Sequence, residues 1–218
     1  MKLPPRLAAF DMDGTLIQGR LVFALADRFG LSDKVRSIQS HKSTPGHIQT
    51  KQIAALFSGL TEKDVESAIE SIPLTKNCEN TIAVLKERGY KTGIISDSYT
   101  IAAGFVADRL QLDFFKANKL DILNGKFTGD VEMPLGWDKL GCYCQISVCK
   151  RYHLETSAIK FNVPIENTLA VGDTRSDTCM IRRAGVGIAF MPKDEEVRKA
   201  TDKIVDEPDL LKVLEYAV

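Results

Sequence analysis

From Pro73 onward the sequence repeats one texture: a short apolar run, a segment with helical periodicity, then another apolar run. No other feature constrains the fold as strongly. "NCENTIAVLKERGY" reads as a helix stopped by Gly89, "KTGIIS" as a strand and "SYTIAAGFVADRLQL" as a helix. "ANKLDIL-NG-KFTGDVEM" reads as a hairpin on Asn124-Gly125, a pair suited to a tight turn with two positive φ angles. "CQISVCKRYHLETSAIKFN" is expected to be helical, "NTLAVG" a strand, "SDTCMIRRA" a helix and "GVGIAF" a strand. Strands alternating with helices require crossover connections, and crossovers build a mainly parallel sheet covered on both faces.

The N-terminal third departs from this texture. "RLAAF" at 6–10 is a buried strand, but residues 17–75 carry helical signals only. Leu21, Leu25 and Phe29 recur four apart before a Gly30 stop, and Ser32 and Thr61 are good N-caps. An acidic first turn follows Thr61, and Pro73 ends the last helix. The expected architecture is therefore α/β. A doubly wound, mainly parallel core domain is drawn from residues 1–16 and 76–218, with a small all-helical cap domain, 17–75, inserted after the first strand. Ligands of such sheets sit beyond the carboxyl ends of the strands. Asp11, Ser96 and Asp173 each fall at such an end, on three separate strands.

These residues suggest a chemistry. In "FDMDGTL", Asp11 and Asp13 are too close to coexist comfortably unless a hard cation offsets their repulsion. Gly14 lets the backbone approach a ligand. In "LAVGDTRSDTCM", Asp173 is a magnesium ligand by type, and Asp177 would orient it or a bound water. Ser96, in "GIISDSYT", can donate to a phosphate oxygen. Lys150 lies 23 residues ahead of Asp173 in a helical segment.

The order D-x-D-G-T, strand-ending Ser, helical Lys and G-D-x-x-x-D resembles the haloacid dehalogenase superfamily, over nearly the whole chain. The helical insertion, the "TKNCENTIAVLKERGY" helix, "GKFTGDV" and "IENTLAVGD…MIRRAGVGIAF" are similar to its phosphoserine phosphatase-type branch. The resemblance implies a Rossmann-like core and a Mg2+-dependent phosphomonoesterase acting on a small phosphorylated metabolite. Asp11 would be the nucleophile that forms an aspartyl phosphate, and Asp13 the general acid and then base. Magnesium would be held by the Asp11 carboxylate, the Asp13 carbonyl and Asp173, with Asp177 behind it. Ser96 and Lys150 would grip the phosphoryl oxygens.

Departures from that branch cluster where substrate would be read. Arg20 stands nine positions after Asp11, where the family carries an acidic residue for the substrate amine. "TKQIAALF" lacks the family's carboxylate-binding arginine, and Asp97-Ser98 replaces a glycine-rich loop. Ser176, preceded by Arg175, stands in place of an Asn. Arg20 would repel an ammonium and welcome a second anionic group. Two alternatives stay open: a phosphotransferase passing the phosphoryl group to an acceptor alcohol, and a non-catalytic phosphometabolite-binding regulator.

Composition excludes other classes. Lys plus Arg and Asp plus Glu each number 29, so no basic excess points to nucleic acid. No apolar run nears the roughly 20 residues a membrane span needs, and "MKLPPRLAAF" does not read as a signal peptide. A cytoplasmic location is expected. Of five cysteines, Cys142, Cys144 and Cys149 cluster in "CYCQISVC" near His153. Without the second ligand pair that structural zinc sites use, they read as reduced, partly buried thiols.

Overall fold

The computed structural model describes residues 4–41 and 43–217. Its strands are β1 (Arg6–Phe10), β2 (Tyr90–Tyr99), β3 (Phe114–Leu123), β4 (Lys126–Glu132), β5 (Thr168–Gly172), β6 (Val186–Phe190) and β7 (Ile204–Val205). They form one sheet in the order β4-β3-β2-β1-β5-β6-β7, parallel throughout except for the β3–β4 hairpin. Asn124 and Gly125 take φ of 52° and 76° at that hairpin, as a tight two-residue turn demands. From β1 the chain winds outward through β2 to β4, then returns to lay β5, β6 and β7 on the other flank. The winding direction reverses at β1 and β5, and a crevice opens beyond their carboxyl ends.

Side-chain alternation covers both faces. Ala8 and Phe10 of β1 face one core with Ile94, Leu169 and Val171. Leu7 and Ala9 face the other, with Leu154, Ala158 and Met180 from α7 (Lys150–Lys160) and α8 (Thr178–Arg183).

Between β1 and α5 (Cys78–Glu87) stand four helices, in keeping with the helical signals of 17–75: α1 (Leu21–Arg28), α2 (Ser32–Ser40), α3 (Gly46–Leu56) and α4 (Glu62–Glu70). Thr61 and Asp64 form a reciprocal capping box on α4, satisfying two otherwise orphaned backbone N–H groups. The chain enters and leaves this group through paired segments. Gln18 N donates to Pro73 O and Thr75 N to Leu16 O, each at 2.8 Å. Leu21, Leu25, Phe57 and Val65 continue the same apolar core that lies under Phe10.

Some elements differ from expectation. The helix predicted from Cys144 starts only at Lys150. Upstream, Val148 is bridged to Leu135, the Cys149 N–H donates to Leu135 O at 3.0 Å, and Gln145 has φ of 49°. The β-branched Ile146 and Val148 suit that extended path better than a helix. Strand β2 runs through Tyr99 and α6 (Thr100–Leu110) follows directly. Beyond Ser96, Tyr99 pairs with Asn118, whose amide also donates to Asp97 O. Short β7, the one-turn α9 (Glu195–Arg198) and a 3-10 segment at Leu210–Glu215 carry too little periodicity to be read in advance.

Candidate active site

The crevice beyond β1 and β5 gathers the acidic residues of both motifs. Asp11 N donates to Val171 O at 2.9 Å, which fixes the end of β1 to β5. The carboxylates of Asp11, Asp173 and Asp177 place oxygens within 4.8 Å of one another, all buried. Lys150, at the first turn of α7 and fully buried, sits among them. Its Nζ is 2.7 Å from Asp11 Oδ1 and 2.5 Å from Asp177 Oδ1. Asp11 Oδ1 also accepts from Met12 N at 2.7 Å. Asp177 Oδ2 accepts from the Asp173 and Thr174 amides, so both its oxygens are occupied in shaping the loop.

Two glycines permit this density. Gly14 has φ of 85°, and a β-carbon there would collide with the Asp173 carboxylate. A β-carbon at Gly172 would collide with Asp177.

Burial governs the electrostatics. Burial and the Asp177 charge push Asp11 well above the usual carboxylate range, against the pull of Lys150. Asp173 is raised by burial and Asp177, although Lys193 opposes this. Asp13 is pushed up to about 6 by burial, despite the Leu21 N–H it accepts from at 2.7 Å and the nearby Arg20 charge. The Lys150 ammonium is disfavoured by burial but held well above its usual pKa by Asp11 and Asp177. Burial likewise opposes the Arg20 charge, and Asp97, Asp13 and Asp11 outweigh it.

A magnesium ion fits the residues present. Asp173 Oδ1 is buried without a hydrogen-bond partner among the described residues, and Oδ2 meets the Lys193 ammonium at 2.5 Å. Five interacting carboxylates (Asp11, Asp13, Asp97, Asp173 and Asp177) face three cations (Arg20, Lys150 and Lys193), an excess that one divalent ion would balance.

Alongside lies a cavity of about 550 Å³. Asp13, Asp97 and Ser98 line it from the sheet, Arg20, Gln49 and Thr50 from the helical insertion, and Arg175 and Glu196 from the far side. The predicted residues thus divide. Asp11, Lys150, Asp173 and Asp177 form one cluster, while Asp13 and Arg20 face the cavity. Ser96 is fully buried just past the β1–β2 pairing, and its Oγ accepts from Ser98 N at 3.1 Å. It makes no hydrogen bond to the cluster among the described residues.

Two further residues escaped sequence reasoning. Ser98 presents a buried hydroxyl with no partner among the described residues where it lines the cavity. Lys193 reaches Asp173 from just past β6, and its N–H donates to Asp173 O at 2.8 Å. Its only sequence signal is its place beyond the carboxyl end of a strand.

The chain is similar to known proteins over most of its length. The model of the haloacid dehalogenase-like hydrolase family matches residues 5–185. The phosphoserine phosphatase of Methanocaldococcus jannaschii is 32% identical over 220 residues, covering 99% of each chain. That of Archaeoglobus fulgidus is 31% identical over 210 residues, but this chain spans only 58% of its length. A solved phospho-aspartyl intermediate analogue of phosphoserine phosphatase superposes with a TM-score of 0.86 at 29% identity, covering 99% of this chain and 100% of the other. Among the described residues, no helix is long and apolar enough to cross a membrane.

Proposed function

The chain belongs to the haloacid dehalogenase-like hydrolases and is a phosphatase, and from that premise we propose a magnesium-dependent phosphomonoesterase that works through an aspartyl phosphate on Asp11. One observation carries the reading: the buried Asp11–Lys150–Asp177 group beside an Asp173 Oδ1 that is unpartnered among the described residues, at the sheet's switch point. The Asp11 carboxylate, the Asp13 carbonyl and Asp173 would hold magnesium, with Asp177 positioning the Asp173 loop. Bound there, the ion would neutralise charge on the phosphoryl group and pull Asp11 into its ionised, nucleophilic form.

Each residue then has a task its surroundings suit. Asp11 Oδ1 is fixed by Met12 N–H and Lys150, so Oδ2 is the oxygen left to attack phosphorus. Lys150 has no exposed surface, so its charge is undiluted by water where the equatorial oxygens collect charge. The Ser96 hydroxyl accepts from Ser98 N and keeps its own proton to donate. Asp13 Oδ1 is tied to Leu21 N–H, leaving Oδ2 to protonate the leaving alkoxide and later to take a proton from the attacking water. Residues 17–75 would act as a cap over the crevice, excluding water during the first transfer.

Phosphoserine is the first substrate to test, because the relatives named above are phosphoserine phosphatases. The cavity supports a zwitterion in a new arrangement, with Arg20 and Arg175 available to a carboxylate and Asp97 and Glu196 to an ammonium. A second reading rests on the two arginines alone: a substrate with an extra anionic group and no amine. Phosphate release from phosphoserine, phosphoglycerate-type acids and sugar phosphates, with and without magnesium, tests both. Asp11→Asn is expected to lower turnover by at least about 10⁴-fold. Residual turnover near wild type in that variant, or full activity in chelator, would end the proposal. Arg20→Glu should shift preference toward amine-bearing esters; unchanged discrimination would remove Arg20 from substrate recognition.

A further inference from the structure

Away from that crevice, the fold assembles four cysteines from two distant parts of the chain. Cys142, Cys144 and Cys149 lie in the segment between β4 and α7, and Cys179 is the second residue of α8. Their sulfurs all lie within 4.8 Å of one another, and all four are free thiols. We propose that Cys142, Cys144, Cys149 and Cys179 form a mononuclear tetrathiolate site for a structural zinc ion.

Geometry favours a single ion. Four thiolates around zinc at about 2.3 Å, in a tetrahedron, are separated from one another by about 3.8 Å. Separations that all stay within 4.8 Å are compatible with that figure. Iron–sulfur clusters distribute their thiolates over several irons and so hold them farther apart. Two disulfides would need the sulfurs to approach only in pairs, whereas here all four converge. Thiolate sulfur is also the donor type that selects zinc over the hard magnesium ion suited to the carboxylate crevice. Among the described residues, the other group of side chains able to hold a metal is the Asp11, Asp173 and Asp177 set of the crevice.

The surrounding backbone is shaped to present these sulfurs. Cys142 N donates to Trp137 O at 2.8 Å, Leu135 N to Ser147 O at 2.9 Å, and Cys149 N to Leu135 O at 3.0 Å. Among the described residues, the only helical stretch in this segment is a 3-10 turn at Asp138–Leu140. A metal would give it a structural centre. Cys149 immediately precedes Lys150, and Cys179 lies two residues after Asp177. Zinc would therefore clamp together the two segments whose Lys150–Asp177 contact organises the crevice. Ile146, between the ligands, lines the cavity, and Gln145 O accepts from His47 N at 3.0 Å across to the insertion.

The test is metal analysis of the reduced full-length protein after dialysis against a weak chelator that strips magnesium. The expected result is about one zinc per chain, lost in Cys142→Ser and in Cys179→Ser. To separate loss of a ligand from loss of folding, strongly chelated wild-type protein is also titrated with Co2+. Intense tetrahedral d–d bands and sulfur-to-cobalt charge transfer should appear and vanish as Zn2+ displaces the cobalt. Asp11→Asn serves as a control that should keep its zinc, so the outcome is independent of the phosphatase reading. No stoichiometric zinc together with no thiolate–cobalt band would overturn the proposal. So would iron in place of zinc, disulfides in the freshly isolated protein, or zinc retained equally by Cys179→Ser.

Discussion

Replacing Lys150 by Met tests whether the crevice is held together by charge. Met approximates the volume of the lysine stem, so packing changes little and the loss is the ammonium. That ammonium lies fully buried between Asp11 and Asp177, at 2.7 and 2.5 Å. Breaking a buried ion pair by removing one partner costs about 3–5 kcal/mol, because the other charge is stranded. Asp11, already pushed well above the usual range by burial and Asp177, can relieve part of this by taking a proton. The loss should then lie near the lower figure. For a chain of this size each kcal/mol moves Tm by about 2–4 °C, so Lys150→Met in chelator should melt about 6–12 °C below wild type. Adding Asp177→Asn removes a stranded charge while keeping an oxygen for the Asp173 and Thr174 amides. The double variant should recover at least half of the loss, a coupling that double-mutant analysis isolates. Thermal melts of wild type, both single variants and the double variant at neutral pH decide the matter. A single variant melting within about 2 °C of wild type, or strictly additive losses, would refute the reasoning.

Further outcomes follow from the same geometry. In metal-free protein, Asp13 keeps its proton up to about pH 6 when folded but only to about 4 when unfolded. The folded state therefore binds more protons across that window, and its stability should fall as pH rises through it, by up to about 1.4 kcal/mol per pH unit from this group. Asp13→Asn should flatten the fall in denaturant titrations at pH 4.5 and 6.5, and an unchanged slope would count against the buried carboxyl. Gly14→Ala places a β-carbon against Asp173 at a φ of 85°; it should cost about 1–3 kcal/mol and raise the magnesium needed for half-maximal turnover. Wild-type values for both would dismiss the close-approach argument. Thr61→Ala removes one side of the α4 capping box and should lower stability by about 1 kcal/mol, read as a Tm shift.

Much of this molecule could be read from residue order alone, and the parts that could not share a cause. β1, β5 and β6 are buried on both faces, so their sequences are near-continuous apolar runs, and those of β1 and β5 end abruptly in aspartates. That abruptness made Asp11 and Asp173 visible. Local patterns also fixed α1 to α4, because caps and four-residue spacing are properties of one segment. Ser98, Lys193 and Cys179 were opaque because each meets its neighbours only when another segment arrives. Lys193 matters because β6 ends beside β5 and Asp173. Ser98 matters because β2 continues past Ser96 by pairing with Asn118. The helix read over Cys144–Cys149 fails, and the approach of Cys179 to its thiols is invisible in residue order, for one reason. The segment has no partner within its own sequence, so neither its path nor its chemistry is settled locally. Leu135 supplies the path through the bridge to Val148, and Cys179 on α8 supplies the fourth sulfur. A metal there would join Cys149 to Cys179 across the same gap that the Lys150–Asp177 contact spans on the catalytic side.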